Sequence, residues 1–473
     1  MLQDFTSLKD IPQPSKIEMI SGPVSYSRFK IFNNNIQLIE IEIFGDAHYS
    51  EKNNCTEQGE SCIYVTHEGN IHHNNQENTI NCVDISTYLG YAILDAHVNK
   101  QYTDIYTESI QQESGRSYNI PINDPLLNSG YIIKTHMFLQ PCGTSVNRHP
   151  LCKDIIDSHS SKVSPNNERN WARVHSGDIR SETIGRKLSN TLVGALKLKE
   201  MSKEETQLRT SEMLNYILEN KSKLIRAFIE PDLGASISEV FLPFYDMMYP
   251  NKSRHIQEQY IKRYYPVIYI IMREFGDITN NDEYKNIFKR QESGTLLLKR
   301  VTEQGKPILI HRVGKTYSKI MNMKNKYKEY ELPYIMILAY EKFVLDIESD
   351  VSTSIKKLIT MIDSVSLNKP IAPNTHLSMV NVSKMLFSKL FSPLYDIYTI
   401  GRMISYNENE RIIYFAGEAH SKKLRTYITH YLQPQLEKIN AQYITDDIHY
   451  SIINDIDIPY ESKTKNRCMR MFI

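Results

Sequence analysis

Two matching four-residue phrases, one near each end of the chain, constrain the fold more than any other feature of the sequence. Gly-Asp-Ala-His occupies residues 45–48 after the isoleucine-rich run 39–44, and Gly-Glu-Ala-His occupies 417–420 after the run 411–416. Runs rich in β-branched and aromatic residues predict buried strands, and a final glycine predicts a sharp turn. Because open α/β sheets bind ligands at the carboxyl ends of their strands, we expect the two phrases to meet in one crevice.

The charge balance argues against one class of partner. The chain has 473 residues and carries 56 Lys and Arg against 55 Asp and Glu, a net charge of +1. Nucleic-acid-binding proteins ordinarily show a basic excess, so we expect no nucleic-acid partner.

The first residues lack the pattern of a secretion signal, and the longest apolar stretches fall short of the ~20 residues of a membrane span. We therefore expect no membrane span and no export by a signal peptide.

The cysteines are few for a chain of this length. There are six, which is far from the density of a disulfide-stabilised scaffold. Reduced thiols in an intracellular compartment are the simplest interpretation. The paired spacings Cys55/Cys62 and Cys142/Cys152 leave open one or two bridges in a particle that ends up outside cells.

Hydrophobic periodicity divides the chain into three parts. Residues 1–182 mix strand patterns with turns, residues 183–405 are dominated by helical periodicity, and residues 406–473 return to a strand followed by a helix. The pattern predicts an α/β fold in which a central, mostly parallel sheet is built from both chain ends. The middle part is predicted to be a large all-helical insertion.

Individual elements can be predicted where the periodicity is clear. Strands are expected at residues 36–44, 104–109 and 411–416. Helices are expected at residues 84–94, 254–275, 332–363, 376–404 and 421–432.

His48 and His420 are the leading candidates for catalysis. An imidazole titrates near neutral pH, so it can act as a general base or bind a metal. Glu108 ends a short strand and would emerge beside the histidines in a parallel sheet. Asp46 and Glu418 could orient the imidazoles or complete a metal shell. A single phrase of this kind is more simply a strand-to-helix turn whose acid caps a helix, and the repetition is what favours a site.

A second polar cluster surrounds the single tryptophan of the chain. Residues 171–180 contain Arg173, His175, Asp178 and Arg180. Arginine presents a rigid donor fork to carboxylate or phosphate, so Arg173, Arg180 and Asp178 are candidates for substrate binding and His175 for catalysis. The alternative interpretation is a buried Asp-Arg pair that stabilises a turn.

One further motif fails as a nucleotide site. Residues 313–316 read Val-Gly-Lys-Thr after the strand-like run 307–310, but Leu309 stands where a phosphate-binding loop requires glycine. Nucleotide binding is therefore not expected.

The order of the two phrases resembles a known superfamily. A strand with Gly-x-x-His, a strand-end Glu and a second strand with Gly-x-x-His are similar to the erythromycin-esterase-like hydrolases, the haem-binding ChaN-like proteins and the TraB/TIKI proteases. The matching residues are Gly45, His48, Glu108, Gly417 and His420. The resemblance implies a hydrolase acting on a small-molecule or peptide substrate. In some members the same positions, here His48, His420 and Glu108, would hold a divalent metal.

The chain departs from the superfamily at its first motif. Asp46 stands where Glu is usual, and its shorter side chain puts a direct metal-ligand role in doubt. Residues 173–180 also resemble an Arg-x-His-x-x-Asp-x-Arg pattern in proteins of large DNA viruses of amoebae. That resemblance implies a location in the host cytoplasm or the virion, with virion proteins as partners. The alternative function is then a non-catalytic virion or host-interaction protein on the same fold.

Overall fold

A computed structural model gives the fold. It describes residues 19–21, 23, 25–46, 62–65, 71–72, 82–85, 88–89, 92, 95–96, 99–110, 172–178, 203–276, 308–363, 374–405, 410–443, 448–458 and 469–470. The chain divides into two compact units. The first comprises Met1–Asp178, Lys328–Ala339 and Tyr406–Ile473, and the second comprises Ile179–Tyr327 and Tyr340–Ser405.

All described strands belong to the first unit. They are β1 (Met19–Ser21), β2 (Ser25–Asn33), β3 (Ile36–Asp46), β4 (Cys62–Val65), β5 (Ile71–His72), β6 (Cys82–Asp84), β7 (Thr103–Ile110), β8 (Ala172–Asp178), β9 (Arg411–Gly417), β10 (Tyr450–Ile458) and β11 (Met469–Arg470). Six of these described strands form one sheet in the order β10-β2-β3-β9-β7-β8, and the other five pair in the order β11-β1-β6-β4-β5.

The larger sheet combines parallel and antiparallel pairs. β3, β9, β7 and β8 run parallel to one another, whereas β10 with β2 and β2 with β3 are antiparallel. The predicted α/β class is confirmed as a mixed α/β fold. The expectation of a mostly parallel sheet did not include the antiparallel pairs, of which β2 and β3 are joined by a two-residue turn and β10 with β2 comes from opposite ends of the chain.

The three predicted strands form close to their predicted positions. Residues 36–44 lie in β3, 104–109 in β7 and 411–416 in β9. Every residue of β9 is buried, as expected for a central strand that is covered on both faces. The isoleucine-rich and aromatic sequence of β9 suits such a position because its side chains pack against neighbours above and below the sheet.

An ion-pair cluster joins β10 to β2. Asp455 accepts hydrogen bonds from the Arg28 Nε at 3.0 Å and Nη2 at 2.8 Å, and its carboxylate lies 3.0 Å from Lys30 Nζ. Burial acts to raise the pKa of Asp455, but the hydrogen bonds and charges of Arg28 and Lys30 outweigh it and lower that pKa below its ordinary value. The cluster therefore stabilises the sheet only while Asp455 is ionised.

Asp455→Asn is expected to lower the free energy of unfolding by about 0.5 kcal/mol at neutral pH, because the cluster is partly exposed and screened by water. The native-state pKa of Asp455 is lowered, so its contribution is present above the ordinary aspartate pKa and disappears as pH falls through the lower native value. Urea unfolding at neutral and strongly acidic pH measures this. If the free energies of unfolding of wild type and variant differ equally at both pH values, the ion-pair contribution of Asp455 is contradicted.

The described helices are more numerous in the second unit. They are α1 (Lys203–Glu219), α2 (Lys221–Ile229), α3 (Ile237–Met248), α4 (Arg254–Tyr264), α5 (Pro266–Phe275), α6 (Ile308–Lys324), α7 (Leu332–Asp363), α8 (Asn374–Ile404), α9 (Glu418–Thr426) and α10 (Gln433–Gln442). A π-helical segment, Tyr427–Leu432, joins α9 to α10. Residues Ile85, Tyr88, Leu89, Ala92, Asp95, Ala96 and Asn99 are also helical, in agreement with the helix predicted at 84–94.

The predicted helix at 421–432 is part of a longer helical segment that begins at Glu418. The π-helical turn within it precedes Pro434, which has no N–H to donate, and a wider turn relieves the clash of the proline ring with the preceding backbone. Tyr427 donates a hydrogen bond of 2.9 Å to the Met336 carbonyl, so this segment is anchored within the first unit.

Most helices predicted within residues 183–405 form. Residues 332–363 are α7, and residues 376–404 lie in α8. The helix predicted at 254–275 is divided in two, because Pro266 starts α5 and disfavours helical backbone at Tyr265. Residues 308–310, which looked like a strand, begin α6 instead. The Val-Gly-Lys-Thr phrase therefore lies inside a helix, which does not provide a phosphate-binding loop.

The boundaries of the insertion stay a prediction. The compact units change at Asp178/Ile179 and at Ser405/Tyr406, and Lys328–Ala339 belongs to the first unit. Residues 183–202, 277–307 and 364–373 of the predicted insertion lie outside the described residues. Among the described helices, none combines the length and apolar character needed to cross a bilayer.

Candidate functional site

The two strands that carry the Gly-acid-Ala-His phrases are direct neighbours. β3 and β9 pair in parallel with Gly45 opposite Ala416 and Asp46 opposite Gly417. The predicted adjacency of the two chain ends is therefore confirmed at the level of the backbone. β3 and β9 both end at the same edge of the sheet, where parallel α/β sheets bind ligands.

Of the two phrase histidines, His420 lies in the described part of the chain and His48 does not. His48 follows Asp46 by two residues and lies outside the described residues. His420 lies in the first turn of α9 and is buried, with 7% of its surface exposed. Asp46 ends β3 and is also buried. The predicted contact between the two imidazoles consequently stays a prediction.

Gly45 is required because another side chain occupies the space above it. A Cβ at this position would overlap the Glu418 carboxylate and the Ser25 hydroxyl. Ser25 lies opposite Gly45 in the neighbouring strand β2 and donates a short hydrogen bond to Glu418. The glycine of the first phrase and the acid of the second are thus packed against each other.

Glu418 is held by a polar cluster that the sequence did not predict. Arg425, two helical turns further along the same face of α9, donates a hydrogen bond of 2.9 Å to Glu418 Oε1. The same guanidinium donates to the hydroxyls of Ser25 and Ser27, the latter at 2.8 Å. Ser27 in turn donates to Asp457 at 2.7 Å. These contacts fix the start of α9 over β2 and β3.

Ser421 ties the same helix to both phrase-bearing strands. Its hydroxyl is buried and lies 2.9 Å from the carbonyl oxygen of Phe44 in β3 and 3.2 Å from that of Ala416 in β9. The backbone at the end of each strand is therefore linked to one side chain. This contact keeps the two strand ends and the first turn of α9, which carries His420, in a fixed relation.

β7 and β8 bring a buried aspartate next to a histidine. Asp104 is fully buried, and its carboxylate oxygens lie 3.2 Å from His175 Nε2 and 3.2 Å from the Tyr106 hydroxyl, which donates a hydrogen bond to it. The imidazole of His175 stacks on the ring of Tyr106, with centroids 4.6 Å apart. The sequence does not mark Asp104 or Tyr106 as site residues, because His175, which both contact, lies far from them in the chain.

The other predicted site residues are placed only in part. Glu108 lies in β7, and Arg173 and Asp178 lie in β8, but their side chains are outside the described residues, as is all of Arg180. Their predicted roles in catalysis and substrate binding stay predictions. The same holds for the metal site of His48, His420 and Glu108. In the described part of the chain, no three His, Cys, Asp or Glu side chains are grouped so that they could hold a metal ion.

A second buried network lies at the opposite ends of β3 and β9. Glu42 in β3 accepts hydrogen bonds from Arg411 Nε at 3.0 Å and Nη2 at 2.7 Å, and from the hydroxyls of Tyr26 and Tyr88. Burial, and then the charge of Glu42, raise the pKa of both tyrosines well above their ordinary value. Burial alone would lower the pKa of Arg411, but Glu42 keeps it above its ordinary value, so Arg411 is charged.

Comparisons of the chain with protein-family models, with curated proteins and with solved structures found no match. The function therefore has to be inferred from the site itself.

Proposed function

We propose that this chain is a hydrolase of carboxylic esters or peptide amides, with its site at the carboxyl ends of β3, β7 and β9. The observation that carries this proposal is the parallel register of Asp46 opposite Gly417. This register supports a common location for the histidines that end the two phrases. Glu108 occupies the corresponding end of β7, which is the next strand beyond β9.

In this mechanism, one imidazole, His48 or His420, accepts a proton from water as the hydroxide attacks the substrate carbonyl carbon. Glu108 orients the water or the imidazole. Arg173 or Arg180 binds a negative group on the substrate. The proposal includes the fold of the superfamily that the sequence resembles, which is a largely parallel core with a helical insertion, here over residues 183–405. Cells infected by a large DNA virus, or its virions, are the proposed location.

A second candidate is a non-catalytic virion or host-interaction protein on the same frame. The burial of His420 and the engagement of Glu418 by Ser25 and Arg425 favour it, because both are also what a purely structural turn would show. The two candidates differ in one measurable respect: only the first requires turnover.

Hydrolysis by purified wild-type protein tests the proposal directly. p-Nitrophenyl esters of several acyl chains and a fluorogenic peptide library are the substrates. We expect the variant that removes the general base, His48→Ala or His420→Gln, to lower kcat by about 10²-fold or more. His430→Gln is the matched control, since His430 is an exposed histidine on the adjoining π-helical segment and should keep the full rate.

Circular dichroism shows whether each variant is folded, so that a lower rate can be assigned to the missing histidine and not to unfolding. Elemental analysis of wild type and of the His48→Ala/His420→Gln double variant shows whether these histidines hold a metal. Wild-type protein that turns over no ester and no peptide would overturn the hydrolase proposal. Unchanged rates in both folded histidine variants would do the same.

A further inference from the structure

Strand pairing brings together two of the six cysteines of the chain. In the five-stranded sheet, β4 and β6 run parallel with Cys62 opposite Cys82, and the next pair along is Ile63 opposite Val83. Another strand, β5, lies between the two cysteines in the chain. Their adjacency therefore comes from the fold and not from their spacing in the sequence.

Both strands are held in register on both of their sides. Cys82 also lies opposite Met19 of β1, so β6 is paired with β1 on one side and with β4 on the other. β4 is paired with β5 on the side away from β6. A slip of either strand would break backbone hydrogen bonds along two ladders, and unpaired backbone groups are costly. The position of Cys62 opposite Cys82 is therefore set by the whole sheet.

The spacing of neighbouring strands suits a disulfide. Adjacent strands lie about 4.7–4.9 Å apart, and residues in register on parallel strands share a face of the sheet. The Cα atoms of bridged cysteines are usually about 4.4–6.8 Å apart. A cysteine pair in register on adjacent strands therefore meets the backbone spacing of a bridge without movement of either strand.

We propose that Cys62 and Cys82 form a reversible disulfide that links β4 to β6, with a low-molecular-weight disulfide such as oxidised glutathione as the oxidant. The thiolate of one cysteine attacks the sulfur–sulfur bond of oxidised glutathione, and a mixed disulfide forms as one glutathione thiolate leaves. The thiolate of the second cysteine attacks the protein sulfur of the mixed disulfide, and the other glutathione leaves. The protein loses two electrons and two protons, and one oxidised glutathione becomes two thiols.

This pairing differs from the one that sequence spacing left open. Cys55 is near Cys62 in the chain but lies outside the described residues. Because a cysteine forms a single bridge, Cys62 pairs either with Cys55 or with Cys82. Strand register favours Cys82. Neither Cys62 nor Cys82 belongs to the proposed hydrolase site, so the bridge forms whether or not the chain has that activity.

Peptide mapping of the full chain tests the bridge. Purified wild-type protein is reduced, equilibrated with oxidised glutathione, treated with N-ethylmaleimide to block the remaining thiols, and digested without reduction by a protease that cleaves after glutamate. Cleavage after Glu60, Glu68 and Glu77 separates Cys62, on residues 61–68, from Cys82, on the peptide that begins at residue 78. Mass spectrometry is expected to find these two peptides joined, and dithiothreitol is expected to separate them.

Variants and a denatured sample provide the controls. Cys55→Ser should keep the joined peptides in full, whereas Cys62→Ser and Cys82→Ser should each lose them and return the other cysteine to the alkylated fraction. In urea the preference for Cys82 should disappear, because the shorter loop between Cys55 and Cys62 then closes more readily. A mixture of ordinary and isotopically labelled protein shows whether the bridge lies within one chain, since only a bridge between chains gives joined peptides of mixed isotopic mass.

Three results would overturn the proposal. They are a bridge from Cys62 to Cys55 in the folded protein, joined peptides of mixed isotopic mass, and cysteines at both positions that stay free or each carry glutathione in a large excess of the oxidant. The map of wild-type protein alone decides among these results, so the test does not depend on the folding of any variant.

Discussion

Arg411→Met is expected to lower the free energy of unfolding of the first unit by roughly 3–5 kcal/mol, the cost of removing one partner of a buried ion pair. Arg411 donates two hydrogen bonds to Glu42, and both side chains are almost entirely shielded from water. Methionine fills much of the same volume but provides neither charge nor donors. The Glu42 carboxylate would then remain buried without its cation. Urea unfolding followed by circular dichroism measures the change.

A double variant separates the buried charge from the packing. Glu42→Gln/Arg411→Met removes both members of this ion pair and leaves only the longer contacts of Arg411 with Glu40 and Asp95 unreplaced, and the glutamine oxygen can still accept the hydrogen bonds of Tyr26 and Tyr88. We expect it to recover about half of the loss, since an ion pair replaced as a whole costs far less than one that is broken. Asp455→Asn is the control for a partly exposed pair in the same sheet. A loss below about 1 kcal/mol in Arg411→Met would show that the pair is not what holds β3 to β9.

The central strands could be predicted because the signals for them lie within short stretches of the sequence. The isoleucine-rich run of β3 and the buried run of β9 each carry strand propensity, a terminal glycine and a repeated phrase. The repetition also predicted that the two strands are neighbours, which the register confirms. The long helices α7 and α8 have apolar stripes of sustained period, which is the most reliable signal in a single sequence.

The outer strands could not be predicted in the same way. β2 alternates apolar residues with Arg28 and Lys30, and β10 carries Asp455, so neither forms an apolar run. Their charges are accommodated only because the two strands lie side by side. Residues 308–310 illustrate the opposite error, since a short apolar run fits a strand and a helix equally well.

The sequence predicted which residues form the candidate site but not the side chains that hold them in place. Sequence spacing indicated His420 and Glu418, yet the partners of Glu418 are Ser25, almost four hundred positions away, and Arg425. Asp104 and His175 are also not neighbours in the chain and meet through the pairing of β7 with β8. Such partners are determined by strand register, which a single sequence does not reveal.

Gly45→Ala is expected to destabilise the first unit by about 1–3 kcal/mol, the range for overpacking a filled site. The added methyl group would overlap the Glu418 carboxylate and the Ser25 hydroxyl. Glu418 is at the end of a flexible side chain, but it cannot move without giving up its hydrogen bonds to Ser25 and Arg425. The expected cost is therefore mainly the loss of this cluster, measured as a lower urea midpoint.

A double-mutant cycle with Glu418→Ala tests that cause. Once the carboxylate is absent, the nearest overlapping atom that remains is the Ser25 hydroxyl, so the cost of Gly45→Ala should fall by about half or more. Glu418→Ala alone provides the reference for losing the contact with Arg425. If Gly45→Ala costs the same in both backgrounds, the overlap with the Ser25 hydroxyl, and not the Glu418 carboxylate, sets the cost. The packing of the two phrases against one another would then not explain the glycine of the first phrase.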